Sequence, residues 1–399
     1  MDYEKGSQLL ANALGGFHGR FKKMFGQAAL RLDSRSFIMT PVNVQLSVIT
    51  ESDFVVCDIN TGDMGEIFRR LPSVNAIIFG CSQDTVKASE RDSDLPVALE
   101  DLAHLTGSKL KVIPDMSPDN IVKAMSDTTI CLIRGIGVIS AASNARKAAA
   151  GVQIVEKACE AEVHGELLGG TIPLPEAEAE EFRKEFRTEY VNMNETKEVA
   201  YMGFDEEEFA LRSQLIDYGR ELTERDLAYG SWGNLSLRIN DHEMLISPSS
   251  MDYSDITPED IVRVSIDTLE YGNQRVPSTS SPLHAAIYKR NPDCSAIIHT
   301  HSNALSVFAA CRAGFAIPDP AMRQLIGDIL IAGSTDTLQP GNASAIAETM
   351  TKTHAAIIPH HGGIFTGPTL DVALAIAEAV EMRARALLNF EARSEADAE

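Results

Sequence analysis

Short apolar runs and longer mixed-periodicity stretches alternate along the chain. The runs Ala296-Ile297-Ile298 and Ala355 to Ile358 predict buried strands, too short for helices. Leu283 to Lys289, Ser302 to Arg312, Asn342 to Lys352 and Leu370 to Leu388 predict helices. The last is rich in Ala, Glu, Met and Leu, all strong helix formers, and its apolar stripe is assigned to the core. The order is helix, several strands, a helix, another strand and a final helix. It predicts helices packed on a mostly antiparallel sheet.

The same order occurs twice. Gly26-Gln27-Ala28-Ala29-Leu30-Arg31 reappears as Gly233-Asn234-Leu235-Ser236-Leu237-Arg238, a separation of 207. Leu71 to Ile78 reappears as Asn291 to Ile298, a separation of 220, so the second copy carries 13 more residues near Gly272 to Leu283. Leu132-Ile133-Arg134-Gly135 aligns with Pro359-His360-His361-Gly362 at 227. The chain therefore reads as two copies of one domain, residues 2–170 and 205–399, joined by a linker over 171–204. Within the linker, Thr171 to Pro175 is proline-rich and Glu176 to Arg187 is a charged helix expected to be exposed.

Composition narrows the functional classes. A length of 399 residues suits two domains, and 44% hydrophobic residues is ordinary for a globular protein. A net charge of −22 argues against nucleic acid or an anionic membrane surface as partner. No run is long enough to cross a bilayer, and the N-terminus has no secretory pattern. Six cysteines without Cys-X-X-Cys spacing fit buried thiols in a reducing cytoplasm.

Candidate chemistry lies at the ends of two second-copy strands. In His299-Thr300-His301 the histidines stand two apart, which places both rings on one face of a strand. The run Ile357-Ile358-Pro359-His360-His361-Gly362-Gly363 brings another histidine to a strand end, with glycines allowing a sharp turn. Three imidazoles from two strand ends would hold a metal and leave one position open. The first copy has Phe79, Cys81 and, in this alignment, Arg134 instead, so it is expected to be structural. His284, Trp232 and the apolar stripes read as packing, and Thr335-Asp336-Thr337 as loop.

With these motifs in view, the second copy, from about Leu222 to Leu388, resembles the class II aldolase and adducin-head family. Gly233-Asn234-X-Ser236, Ser247-Pro248-Ser249-Ser250, Pro277 to His284, His299-Thr300-His301-Ser302 and His360-His361-Gly362 occur in its order. The first copy resembles a degenerate version. The resemblance implies an α/β fold of the layered α+β kind, a mainly antiparallel sheet packed with helices. It implies a divalent metal, zinc above all and manganese in some members, on His299, His301 and His361. It assigns phosphate binding to Gly233, Asn234, Ser249, Ser250, Ser278 and Thr279, and the acid/base position to Ser280. The implied reaction is lyase cleavage of a C–C bond in a small, phosphorylated ketose through a metal-stabilised enediolate. The alternatives are a decarboxylase or epimerase at the same site, or a non-catalytic scaffold of adducin type. Family members carry a carboxylate where this chain has Ser280, and the aldolase tyrosine after Ile317-Pro318 is missing. Asp319, Asp328 or a hydroxide on the metal remain candidates for the base. The resemblance also implies a homo-oligomer, two chains supplying four domains and two metal sites.

Overall fold

The computed structural model describes residues 1–190, 203–230, 232–272, 275–333 and 340–389. The chain forms two compact units, residues 1–163 with 173–184, and residues 164–172 with 185–399. The stretch expected as linker is shared between them. The Ile172 N–H donates to the Ala310 carbonyl within the second unit, and the Leu174 N–H to the Val97 carbonyl within the first, each at 2.8 Å. Residues 191–202 of that stretch lie outside the described residues.

The sheet of the first unit contains β1 (Phe25–Arg31), β2 (Ser36–Met39), β3 (Val55–Asp58), β4 (Ala76–Cys81), β5 (Val112–Ile113), β6 (Ile130–Ile133) and β7 (Gly137–Ala142). The order is β3-β2-β1-β4-β7-β6-β5, with a two-residue strand, Val44–Gln45, added beside β1. All pairs on the main path are antiparallel except β5 with β6. Around it lie α1 (Gly62–Arg70), α2 (Gln83–Ser89), α3 (Glu100–Thr106), α4 (Ala145–Gly165) and α5 (Glu176–Glu185). The expected linker helix α5 packs on its own unit. Ala179 and Phe182 are buried, and the Phe182 ring lies 5.7 Å from that of His104.

The second unit repeats this plan with β8 (Asn234–Arg238), β9 (Glu243–Ile246), β10 (Val262–Ser265), β11 (Ala296–Thr300), β12 (Leu330–Ile331), β13 (Ala355–Ile358) and β14 (Gly362–Gly367). Its order, β10-β9-β8-β11-β14-β13-β12, is that of the first sheet strand for strand, again with a single parallel pair at the end. Helices α6 (Ser281–Arg290), α7 (Asn303–Ala310), α8 (Pro320–Ile326), α9 (Pro340–Thr349) and α10 (Leu370–Leu387) surround it, together with the helix Glu206–Glu224. Strands β11, β13 and β14 are buried at every position, which explains why they read as continuous apolar runs rather than alternating ones. On one face of the sheet Val262, Val264, Ile297 and Ile358 pack with Leu283 and Ile287 of α6 and Ile346 of α9.

Ladder register tests the repeat residue by residue. Gln27 pairs with Phe79, and Asn234 with His299, so the separations of 207 and 220 hold. The third alignment needs correction. Ile133 pairs with Gly137, and Ile358 with Gly362, a separation of 225. Gly135 at φ +64° then corresponds to His360 at φ +61°, and Ile136, not Arg134, corresponds to His361. The resemblance around Arg134-Gly135 had matched a glycine two residues out of register. The Arg134 guanidinium instead pairs with Asp92 at 3.0 Å.

Candidate metal centre

Strand β11 brings His299 to its end, and His301 follows one residue beyond it. The hairpin between β13 and β14 supplies the third ring. His360 takes the left-handed conformation, and the His361 N–H closes the turn onto the Ile358 carbonyl at 3.1 Å. Glycine at 362 is required by close approach, since a Cβ there would stand 2.1 Å from the Thr300 carbonyl oxygen. That backbone contact sets the hairpin against the end of β11 and so brings His361 to the other two histidines.

One ring nitrogen from each of His299, His301 and His361 lies within 4.8 Å of the others. Ring centroids are 4.9, 4.7 and 4.7 Å apart, and the His299 and His301 Nε2 atoms are 3.1 Å apart. Tetrahedral zinc with Zn–N bonds near 2.0–2.1 Å sets its ligand nitrogens roughly 3.3 Å apart. The His299 and His301 nitrogens thus stand near the spacing of two ligands on one ion, with a His361 nitrogen within 4.8 Å of both. The three side chains are 1, 5 and 8% exposed, so the centre is shielded from bulk water. Three nitrogen donors suit zinc and related divalent ions and leave a coordination position for substrate. The Trp232 ring stands 5.9 Å from that of His301, with Phe186 stacked 6.4 Å beyond it.

His360 is no ligand. Its N–H donates to the Ala309 carbonyl at 3.0 Å, and its Nε2 accepts from Arg312 Nε at 2.8 Å. Asp319 caps α8 by accepting the Met322 N–H at 2.8 Å, and Asp328 pairs with Arg323 at 3.2 Å, so both acids considered as bases have structural partners. Thr335-Asp336-Thr337 lies outside the described residues.

The remaining candidates line two adjoining loops and one strand end. Gly233 holds φ +93°, and Asn234 stands opposite His299. Asn234 Nδ2 donates to Ser280 Oγ at 3.1 Å. The Ser249 N–H donates to the Val276 carbonyl and the Ser278 N–H to the Ser247 carbonyl, at 2.9 and 3.0 Å. This places the Ser249-Ser250 turn beside the Ser278-Thr279-Ser280 turn. Ser250 is left-handed at φ +58°, and its Oγ lies 3.4 Å from that of Ser249.

One side chain important to the site escaped the sequence. Glu381, in the apolar stripe of α10, is 3% exposed and accepts the Ala304 and Leu305 N–H groups at 3.0 and 3.1 Å. It thereby caps α7, the helix that leaves the His299-Thr300-His301 strand. Its counterpart in the first unit, Glu156, accepts from Ser82 Oγ at 2.5 Å at the start of α2. Since the unit without histidines keeps this clamp, it serves the fold. The readable sign was an acid inside an otherwise apolar stripe.

His284 is buried and hydrogen-bonded within the core, and burial lowers its pKa from 6.5 to about 3. Between these values the unfolded chain takes up a proton that the folded chain refuses. Stability therefore falls with pH below 6.5, at up to about 1.4 kcal/mol per pH unit from this group. His284→Met is expected to lose less stability than the wild type between pH 7 and pH 5, measured by urea unfolding. Equal losses would show that the ring titrates normally in the folded state.

The family model for the class II aldolase and adducin N-terminal domain matches residues 10–163 and again 213–388. The chain belongs to this family. A 5-methylthioribulose-1-phosphate/5-deoxyribulose-1-phosphate aldolase of Rhodospirillum rubrum is 35% identical over 43% of this chain and 77% of its own length. An L-fuculose phosphate aldolase of Haemophilus influenzae is 30% identical over 44% and 80%, respectively. A 3-oxo-tetronate 4-phosphate decarboxylase of Pectobacterium atrosepticum is 27% identical over 44% and 82%. The chain thus has the class II aldolase fold, and its histidine triad could hold a divalent metal. Among the described residues, no helix is long and apolar enough to cross a membrane.

Proposed function

We propose that the second unit is a zinc-dependent lyase that cleaves the C–C bond beside the carbonyl of a small phosphorylated ketose. The convergence of His299, His301 and His361 carries this reading. A divalent ion there would polarise the substrate carbonyl and stabilise the enediolate left by bond cleavage. The protein's own groups would do the rest. Gly233, Asn234, Ser249, Ser250, Ser278 and Thr279 offer N–H groups, an amide and hydroxyls, which suit phosphate oxygens without added bulk. Ser280 Oγ, held by Asn234, is a polar contact for the reacting end of the substrate. The first unit, with Phe79, Cys81 and Ile136 in place of the ligands, is the structural partner. The similar ketose-phosphate aldolases support the substrate class.

The test is release of dihydroxyacetone phosphate and an aldehyde from a panel of ketose 1-phosphates, 5-deoxyribulose 1-phosphate among them, by the zinc-loaded chain. No cleavage of any member would overturn the aldolase reading.

Ser280 favours one second reading. Retro-aldol cleavage needs a base for the hydroxyl proton, and an unassisted hydroxyl is a poor one. Loss of CO2 from a 3-oxo acid leaves its electron pair on the substrate with no proton to remove first. A phosphorylated 3-oxo acid is therefore the competing substrate, in keeping with the similarity to a decarboxylase. Release of CO2 from such an acid, with no ketose cleavage, would decide for it. The adducin-type scaffold reading has no use for three converging ligands.

We further propose a cytoplasmic dimer that pools four copies of the fold and two metal sites. All six cysteines are free thiols, as a reducing compartment requires. Sedimentation is expected to give about twice the chain mass of 43.3 kDa. A fully active monomer would refute the dimer.

A further inference from the structure

Three buried polar side chains behind the site have no part in the reading above. Ser236 Oγ lies 2.8 Å from His284 Nδ1 and 2.8 Å from the Tyr288 hydroxyl. The residues are 0, 0 and 1% exposed, and among the described residues His284 Nε2 is buried with no hydrogen-bond partner. A buried polar cluster with an unsatisfied nitrogen is a poor way to fill a core.

The first unit shows what the fold itself requires at these places. Arg31 stacks over Phe68 at 4.9 Å, and Arg238 stacks over Tyr288 at 4.9 Å, so Phe68 and Tyr288 are counterparts. By the same register Ala29 corresponds to Ser236 and Met64 to His284. Ala29 and Phe68 are fully buried, and Met64 packs against the same core. An apolar trio therefore fills the position in the unit without histidines. The polar trio stands in the unit that has them.

Its placement indicates what it does. Ser236 is two residues beyond Asn234 on β8, so both side chains leave the same face. Ser280, His284 and Tyr288 are spaced by four along the start and body of α6, on one side of it. The strand and helix thus meet through two polar rungs, Asn234 with Ser280 and Ser236 with His284, and the His284 N–H donates to the Ser280 carbonyl at 3.0 Å. Apolar contacts hold such a joint together, whereas directional hydrogen bonds also fix its register and rotation.

We infer that Ser236, His284 and Tyr288 form a positioning network that sets the Ser278-Thr279-Ser280 turn against Asn234, so that both present their donors to one phosphate group. This rests on the phosphate-binding reading given above. The network touches neither substrate nor metal.

The decisive variant installs the first unit's solution: Ser236→Ala, His284→Met and Tyr288→Phe together. Binding of dihydroxyacetone phosphate to the zinc-loaded full chain is measured by calorimetry, beside zinc content and thermal unfolding. Asn234→Ala serves as the direct lesion of the cradle. The triple variant is expected to keep its zinc and its fold while binding the probe about ten-fold more weakly, the scale of one lost hydrogen bond. A network that only fills the core would leave the affinity at the wild-type value, and that result overturns the inference. If the wild type does not bind the probe, or Asn234→Ala binds it equally well, the cradle itself is wrong and the inference falls with it. Should the triple variant fail to fold, Ser236→Ala alone is measured, with weakened binding expected and unchanged binding contradicting the role.

Discussion

His301→Ala is expected to purify without metal and to lose activity by about three orders of magnitude or more, because a Lewis acid and its charge stabilisation go together. Two nitrogens remain after the change, and His299 and His361 alone do not make the three-ligand set of a catalytic zinc. The fold should survive. His301 lies beyond the end of β11 and outside the apolar cluster of Ile297, Ile358 and Ile364. The first unit builds the same seven-strand path with Cys81 at this place, direct proof that the architecture does not need the imidazole. Elemental analysis and circular dichroism on the same sample separate the two effects. A variant that keeps its metal would remove His301 from the ligand set.

Lys157→Met is expected to destabilise the first unit strongly. Lys157 Nζ pairs with Asp101, and their side chains are only 4 and 2% exposed. Removing the cation takes the opposite charge away from a buried carboxylate, at a cost of about 3–5 kcal/mol. The pair need not be the most stable way to fill the space. Replacing both partners of a buried ion pair by apolar residues is often neutral or stabilising. In Lys157→Met/Asp101→Ala the buried carboxylate is gone as well, so much of the loss should be recovered. Urea midpoints for the wild type, the single and the double variant measure this. A single variant as stable as the wild type would mean that the pair carries no net burial penalty.

How far residues alone could reach depended on the kind of signal. His299, His301 and His361 were legible because each ended an apolar run, and chemistry at a strand end shows in spacing. The duplication was legible because Gly26 and Gly233 start matching strands 207 residues apart. The last alignment failed where only backbone conformation is shared. Gly135 and His360 adopt the same left-handed turn with unlike side chains, so ladder register, not residue identity, shows that Ile136 replaces His361. Glu381 and His284 were hidden for a different reason. Both sit in helical stripes that read as core, and both are in the core. What distinguishes them is a partner far along the chain, Ala304 and Leu305 for one and Ser236 for the other.

The central claim is that one copy of the fold holds a metal and the other does not. Elemental analysis of the full chain, purified without chelator and equilibrated with zinc, addresses it most directly. One tightly bound equivalent per chain is the predicted result. None would dismiss the histidine centre, and two would show that the first unit had not lost its site.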